Sequence, residues 1–183
     1  MTLSTAKWLG RHLVFIGNLA TLGKQCADQM PKHREIERKY LLSSLPDAAR
    51  RAPCLEIEQG WIPGDQLRER LRRTRENGKE QWYRTVKLGR GLERTEIEEA
   101  TSQRVFEVMW PLTEGCRVTK RRFKVVQGAL TWELDEFTDR ELVLAEVELP
   151  SADFVVKVPN WIETHLVRQV TGEPAYVNLN LAK

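Results

Sequence analysis

The chain has 183 residues, 41% hydrophobic and 30% charged, enough for one domain of ordinary size with a sizeable core. Lys and Arg number 29 and Asp and Glu 26. Three of the bases, Lys7, Arg11 and Lys24, fall in an acid-free stretch at residues 1–27, which leaves 26 of each sign in the remainder. A neutral body excludes a general nucleic-acid binder, and the composition excludes collagen-like, coiled-coil and multi-span membrane classes.

In chain order, residues 1–30 stand apart. The uncharged, mostly apolar run Leu13–Gly23 follows Arg11. It is too short to cross a bilayer, which needs about 20 residues, so no stable membrane insertion is expected. Gln25 and Ala27 make a poor signal-peptide cleavage site. The segment reads as a poorly ordered or loosely attached N-terminal extension, with Met30 a plausible start, and residues 31–183 as the folded domain. Gly17 to Gln25 imitates a phosphate-binding loop. It has one residue too many between its glycines, and Gln25 stands where Ser or Thr is needed.

After His33 the chain becomes short runs between turn signals: Ile62-Pro-Gly-Asp65, Glu76-Asn-Gly78, Gly89-Arg-Gly91, Gln127-Gly128 and Thr138-Asp139. The spacing predicts antiparallel strands at 34–42, 54–61, 67–74, 81–87, 92–99, 117–126, 130–137 and 142–149. Thr101–Trp110 predicts a helix, with a Thr-Ser start, apolar Val105, Phe106 and Met109, and a stop before Pro111. Further helices are expected over Ser151–Val158, around Ile162–Val170 and after Pro174. The cysteines are Cys26, Cys54 and Cys116, and the histidines His12, His33 and His165. An odd count without CxxC argues against a disulfide framework and against His/Cys zinc, and suits a reducing cytoplasm.

Residues two apart in a strand share a face. On that rule Glu35, Glu37 and Lys39 lie together, as do Arg68, Arg70 and Arg72, and Arg94, Glu96 and Glu98. Lys120 and Arg122 follow, then Glu133 and Asp135, then Glu146 and Glu148. Ile36, Tyr40, Leu42, Leu71, Ile97, Phe123, Trp132, Leu134, Val147 and Leu149 alternate with them. A single such strand is an ordinary solvated face. Repeated acid pairs and base pairs are different, because like charges at that spacing repel. Acid pairs suit divalent cations and base pairs suit a polyanion. The economical solution is a strongly bent sheet or barrel, charged and wet inside, apolar outside under helices, because dry burial of such charges would cost several kcal/mol per ion. Carboxylate oxygens favour Mg²⁺ or Mn²⁺, which bridge to phosphate, and arginine holds phosphate through paired hydrogen bonds.

The same residues carry a family resemblance. Glu35-Ile-Glu37-Arg-Lys39 is similar to the ExExK signature of the CYTH superfamily, the triphosphate tunnel metalloenzymes. Gln59-Gly-Trp61, Arg70-Leu-Arg72, Thr85-Val-Lys87, Arg94-Thr-Glu96-Ile-Glu98 and Trp110-Pro-Leu-Thr-Glu-Gly115 follow in order. Then come Lys120-Arg-Arg122, Glu133-Leu-Asp135, Glu146-Val-Glu148 and Tyr176-Val-Asn178. Together they resemble the bacterial inorganic-triphosphatase-like branch over roughly residues 33–182. The resemblance implies an α+β fold, an eight-stranded antiparallel β-barrel tunnel with a charged interior and helices packed outside. It implies that Lys39, Arg70, Arg72, Lys87, Arg94, Lys120 and Arg122 bind phosphate. Glu35, Glu37, Glu96, Glu98, Glu133, Asp135, Glu146 and Glu148 then line the acidic side, with Glu35, Glu37, Glu146 and Glu148 nearest Mg²⁺ or Mn²⁺. The chain departs from the pattern at Ala175, where related sequences often carry a base before the tyrosine.

The expected reaction is hydrolysis of a linear triphosphate, foremost inorganic tripolyphosphate, with Glu35, Glu37 and Lys39 at the chemistry. Metal neutralises phosphate oxygens and activates water, while the bases stabilise the transferred and leaving phosphates. The general base is a carboxylate, a metal-activated water or Lys39. Class IV-type adenylate cyclase, thiamine triphosphatase and a non-enzymatic polyphosphate or nucleotide sensor are the rival readings. The expected partner is a small-molecule triphosphate and not nucleic acid, with a homodimer left open.

Overall fold

Period-two alternation builds one antiparallel sheet. The structure, a computed structural model, describes residues 36–64, 67–88 and 95–182, all within the unit Arg34–Lys183. For residues 87, 88, 95 and 96 it describes the backbone alone. The expected N-terminal extension, with Glu35 and Arg94, lies outside the described residues.

The strands are β1 (Glu37–Leu42), β2 (Cys54–Ile62), β3 (Leu67–Glu76), β4 (Lys79–Leu88), β5 (Thr95–Thr101), β6 (Arg117–Gln127), β7 (Leu130–Phe137), β8 (Val143–Glu148) and β9 (Leu166–Gln169). Their order in the sheet is β5-β4-β3-β2-β6-β7-β8-β1-β9. Eight correspond to the strands read from the sequence. β9 is additional, and it lies on the far side of β1 with Tyr40 opposite Gln169. A helix was expected there. Only α3 (Asn160–Glu163) forms, and the chain then extends along the open edge of β1. Edge pairing outweighs local propensity at this point.

The expected helix over Ser151–Val158 is absent: one turn closes from Phe154 N to Ser151 O at 3.2 Å, and the chain then runs without helix or strand to Asn160. Val155, Val156 and Val158 resist helix formation, and Pro159 pushes its predecessor toward extended backbone. The helix after β5 is α2 (Gln103–Met109), capped by Ser102, whose hydroxyl accepts from Val105 N at 3.2 Å. The α-helix stops before Pro111, as expected, and the chain continues as a 3₁₀ segment, Trp110–Thr113, with Pro111 in its first turn, where its missing N–H costs nothing. A short α1 (Asp47–Arg50), not expected, follows β1, and the chain closes with a 3₁₀ turn, Pro174–Tyr176, and α4 (Asn178–Leu181).

The sheet has a packed face and a charged face. On the packed face Tyr40, Leu42, Phe123, Trp132, Leu134, Ala145 and Val147 form one cluster, covered by Leu45, by Ala49 of α1 and by Ile162 of α3. Burying a side chain such as Leu134 contributes about 1.5–3 kcal/mol. Further along the same face, Gly60 lets Thr113 approach so closely that an added Cβ would lie 2.5 Å from its hydroxyl oxygen. Arg117 fastens that turn, its Nη2 donating to Trp110 O at 2.7 Å and its guanidinium lying 4.4 Å from the Trp110 ring centroid.

Candidate active site

Register carries the charges to one side. Glu37 stands opposite Glu148 and Lys39 opposite Glu146 on β1 and β8, and Glu146 in turn faces Glu133 on β7. Asp135 faces Arg122, and Lys120 faces Phe137. On the other half, Arg72 is opposite Gln59, Arg70 opposite Trp61, and Thr85 lies between Arg70 and Glu98. The backbone register sets Lys87 between Arg68 and Glu96.

At one end the same face turns apolar. Trp61, Val118, Phe137 and Leu144 form a second cluster with Val170 and Ala182, and Tyr176, Leu179 and Leu181 pack against it. The C-terminal segment therefore covers that end. It also contacts the charges: Lys39 Nζ donates to Tyr176 O and Lys120 Nζ to Asn178 Oδ1, each at 3.4 Å.

Several of the like charges two apart along a strand find opposite charges on neighbouring strands, so part of their repulsion is relieved inside the protein. This modifies the expectation that only bound ions could relieve it. Arg122 is the hub. Its Nε donates to Asp135 Oδ1 at 2.6 Å and its Nη2 to Glu146 Oε2 at 3.0 Å, and its Nη1 donates to Glu133. Lys120 Nζ donates to the other Asp135 oxygen at 2.5 Å. Lys39 Nζ lies 2.8 Å from Glu146 Oε1 and 3.8 Å from Glu37 Oε1. Arg70 Nη2 donates to Glu98 Oε2 at 2.6 Å and to Thr85 Oγ1 at 3.0 Å, and the Thr85 hydroxyl donates to Glu98 at 2.8 Å.

These pairings sort the groups electrostatically. Burial opposes the charge of Asp135, yet Lys120 and Arg122 hold its carboxyl below the ordinary range. Burial lowers Lys120, helped by the neighbouring Arg122, and Asp135 and Glu146 offset this only in part. Arg122 is likewise opposed by burial, but Asp135, Glu133 and Glu146 raise it. Arg72 differs: burial and then the neighbouring Arg70 pull it down to about 10, with Glu98 only 3.8 Å away as a partial counter-charge.

Glu37 and Glu148 are exposed and directly opposed, an arrangement that repels unless a cation stands near. Among the described residues no three His, Cys, Asp or Glu side chains are grouped to hold a metal ion, and Glu35 lies outside them. Asp135 is fully committed to Lys120 and Arg122. Gln59, Thr85, Asn178 and the Tyr176 carbonyl join the charged face without having been assigned a role from the sequence. Strand parity could have found Gln59 and Thr85, which alternate with packed-face residues as their charged neighbours do.

No family model matches this chain. An inorganic triphosphatase from Acetivibrio thermocellus is 37% identical over 156 residues, covering 82% of this chain and 94% of the relative. An inorganic triphosphatase from Nitrosomonas europaea is also 37% identical over 156 residues, covering 81% of this chain and 96% of that protein. The crystal structure of the inorganic triphosphatase NE1496 matches with a TM-score of 0.62 and 33% identity, covering 81% of this chain and 97% of that one.

Proposed function

From the premise that this chain belongs to the inorganic triphosphatase family, within the CYTH superfamily and its tunnel fold, we propose that it hydrolyses a phosphoanhydride bond of inorganic tripolyphosphate. The observation that carries this reading is the single sheet face on which Lys39, Arg70, Arg72, Lys120 and Arg122 converge with Glu37, Glu98, Glu133, Asp135, Glu146 and Glu148. A linear triphosphate is the small ligand whose spaced negative charges match such a row.

The donors suit Mg²⁺ or Mn²⁺, since all are carboxylate oxygens and Glu37 and Glu148 stand opposite one another in the register. Glu37, Glu148 and Glu146, with Glu35, would hold the ion. A divalent ion bound there supplies Lewis acidity toward phosphate oxygens. Arg72 and Arg70 bind the chain and neutralise its oxygens. Arg122 and Lys120 keep Asp135, Glu133 and Glu146 aligned and add positive potential where charge builds on the leaving phosphate. Lys39, bridged to Glu146 and the Tyr176 carbonyl, orients the acidic end and is the nearest candidate to shift a proton. In this reading Lys87 and Arg94 are further phosphate-binding residues and Glu96 belongs to the acidic set.

No helix among the described residues is long and apolar enough to cross a membrane. We assign the activity to the cytoplasm, in keeping with the free thiols of Cys54 and Cys116. The test is phosphate release by the purified chain from tripolyphosphate, ATP and thiamine triphosphate under Mg²⁺ and Mn²⁺. Tripolyphosphate is expected to be cleaved fastest, with no release in excess chelator. Preference for either organic triphosphate would overturn the substrate assignment.

A further inference from the structure

Gln59 is held by its neighbours in a setting that does not satisfy it. Gly60 beside it faces the packed side, where Thr113 is fully buried and too close to allow a side chain. That approach presses β2 against the turn after α2 and commits Gln59 and Trp61 to the charged face. There Gln59 stands between Arg72 on β3 and Val118 on β6 and is only 1% exposed.

Arg72 Nε–H points to Gln59 Oε1 at 3.4 Å. A guanidinium can only donate, so this contact fixes the amide: its oxygen faces Arg72 and its Nε2 faces away. Nε2 is buried and has no acceptor among the described residues. A buried amide donor without an acceptor destabilises the fold, so this glutamine is explained by something the chain binds. The nearby carboxylates are engaged elsewhere, Asp135 by Lys120 and Arg122, and Glu98 by Arg70 and Thr85. With Arg70, Arg72 and Lys120 on the adjoining strands, the complementary acceptor is an anionic oxygen from outside the chain.

Resting on the triphosphate reading above, we propose that Gln59 Nε2 donates to a non-bridging oxygen of the bound phosphate chain. The contact lies where the cationic row gives way to the apolar cluster of Trp61, Val118, Phe137 and Leu144. A neutral donor there recognises phosphate without adding a further positive charge beside Arg72. It makes Gln59 a substrate-binding residue of the site.

The test uses the full chain with Gln59→Met, which keeps the length and removes the donor, and Gln59→Glu. Tripolyphosphate affinity is measured by calorimetry in chelator, steady-state kinetics with Mg²⁺ or Mn²⁺, and thermal stability without ligand. Gln59→Met is expected to raise both Kd and KM about tenfold, with kcat within about twofold and the melting temperature unchanged or higher. Gln59→Glu is expected to lose more affinity, through repulsion of the phosphate. Unchanged Kd and KM in Gln59→Met, with a lower melting temperature, would make the residue purely structural and overturn the proposal. If the parent chain neither binds nor cleaves tripolyphosphate, the function reading itself fails before any variant is compared, and this contact falls with it.

Discussion

Lys120 reaches diagonally from β6 to Asp135 on β7, with Nζ 2.5 Å from Oδ2, and neither side chain is more than 2% exposed. The pair is stable because it is not alone. Arg122 approaches the second oxygen of Asp135 at 2.6 Å, and Asn178 accepts from Lys120 at 3.4 Å. Every polar atom of the carboxylate is used.

Asp135→Asn leaves two buried cations short of a counter-charge. The expected loss is about 3–5 kcal/mol of stability, the usual consequence of removing one partner from a buried ionic group. Urea unfolding of the variant beside the parent measures it, and a loss below about 1 kcal/mol would show that the pair is solvated.

The same group sets an acid limit. The folded-state value of Asp135 lies below its ordinary 3.8, at about 2, so its contribution is fully present above pH values near 4 and is lost as pH falls toward 2. Melting temperatures of parent and Asp135→Asn are expected to differ most near neutrality and to converge in acid. A gap that stays constant down to pH 2 would contradict this assignment.

Glu37→Gln and Glu148→Gln are each expected to lower metal-dependent phosphate release at least about a hundredfold while the fold survives. The fold survives because each change removes one of two exposed, opposed like charges, and thermal stability is expected to hold or rise. Kinetics and circular dichroism on both variants check it; near-parental rates in both would refute the metal assignment.

Arg72→Ala is expected to weaken tripolyphosphate binding about tenfold or more, whereas Glu99→Ala should change it less than about twofold. The two differ by face: Arg72 is opposite Gln59 on the charged side, and Glu99 is opposite Arg84 on the packed side. Equal effects in a calorimetric titration would mean that the faces are exchanged.

Gly60→Ala forces β2 away from Thr113, since the new Cβ would lie 2.5 Å from the hydroxyl oxygen and 2.6 Å from Thr113 Cβ. A loss of about 1–3 kcal/mol is expected, the ordinary cost of overpacking. Thr113→Ser keeps both of those atoms and removes only Cγ2, 3.1 Å from the new Cβ, so chemical denaturation should show the double variant little recovered.

The strands are legible in the sequence because charge and hydrophobicity alternate so regularly from Leu130 to Asp135 or from Ala145 to Leu149. Parity alone separated Lys39 from Tyr40 and Arg122 from Phe123, and so drew both faces. Strand order was not legible. That β2 lies beside β6, and β8 beside β1, follows from long-range pairing that no local pattern encodes. Hence the acid and base pairs could be read, but not that Asp135 would be enclosed by Lys120 and Arg122. β9 escaped for a related reason: Leu166–Gln169 is a strand only because β1 offers it an edge. The helix expected at Ser151–Val158 does not form because Val155, Val156, Val158 and Pro159 outweigh the capping signals of Ser151 and Asp153.

Arg122 reaches Glu133, Asp135 and Glu146 from one planar group. On the proposed reading, a phosphate arriving there would compete with residents that already occupy the guanidinium, so capture would be an exchange of partners and tight retention would be discouraged. Such built-in rivalry keeps the occupant replaceable, which a turnover cycle requires at every release.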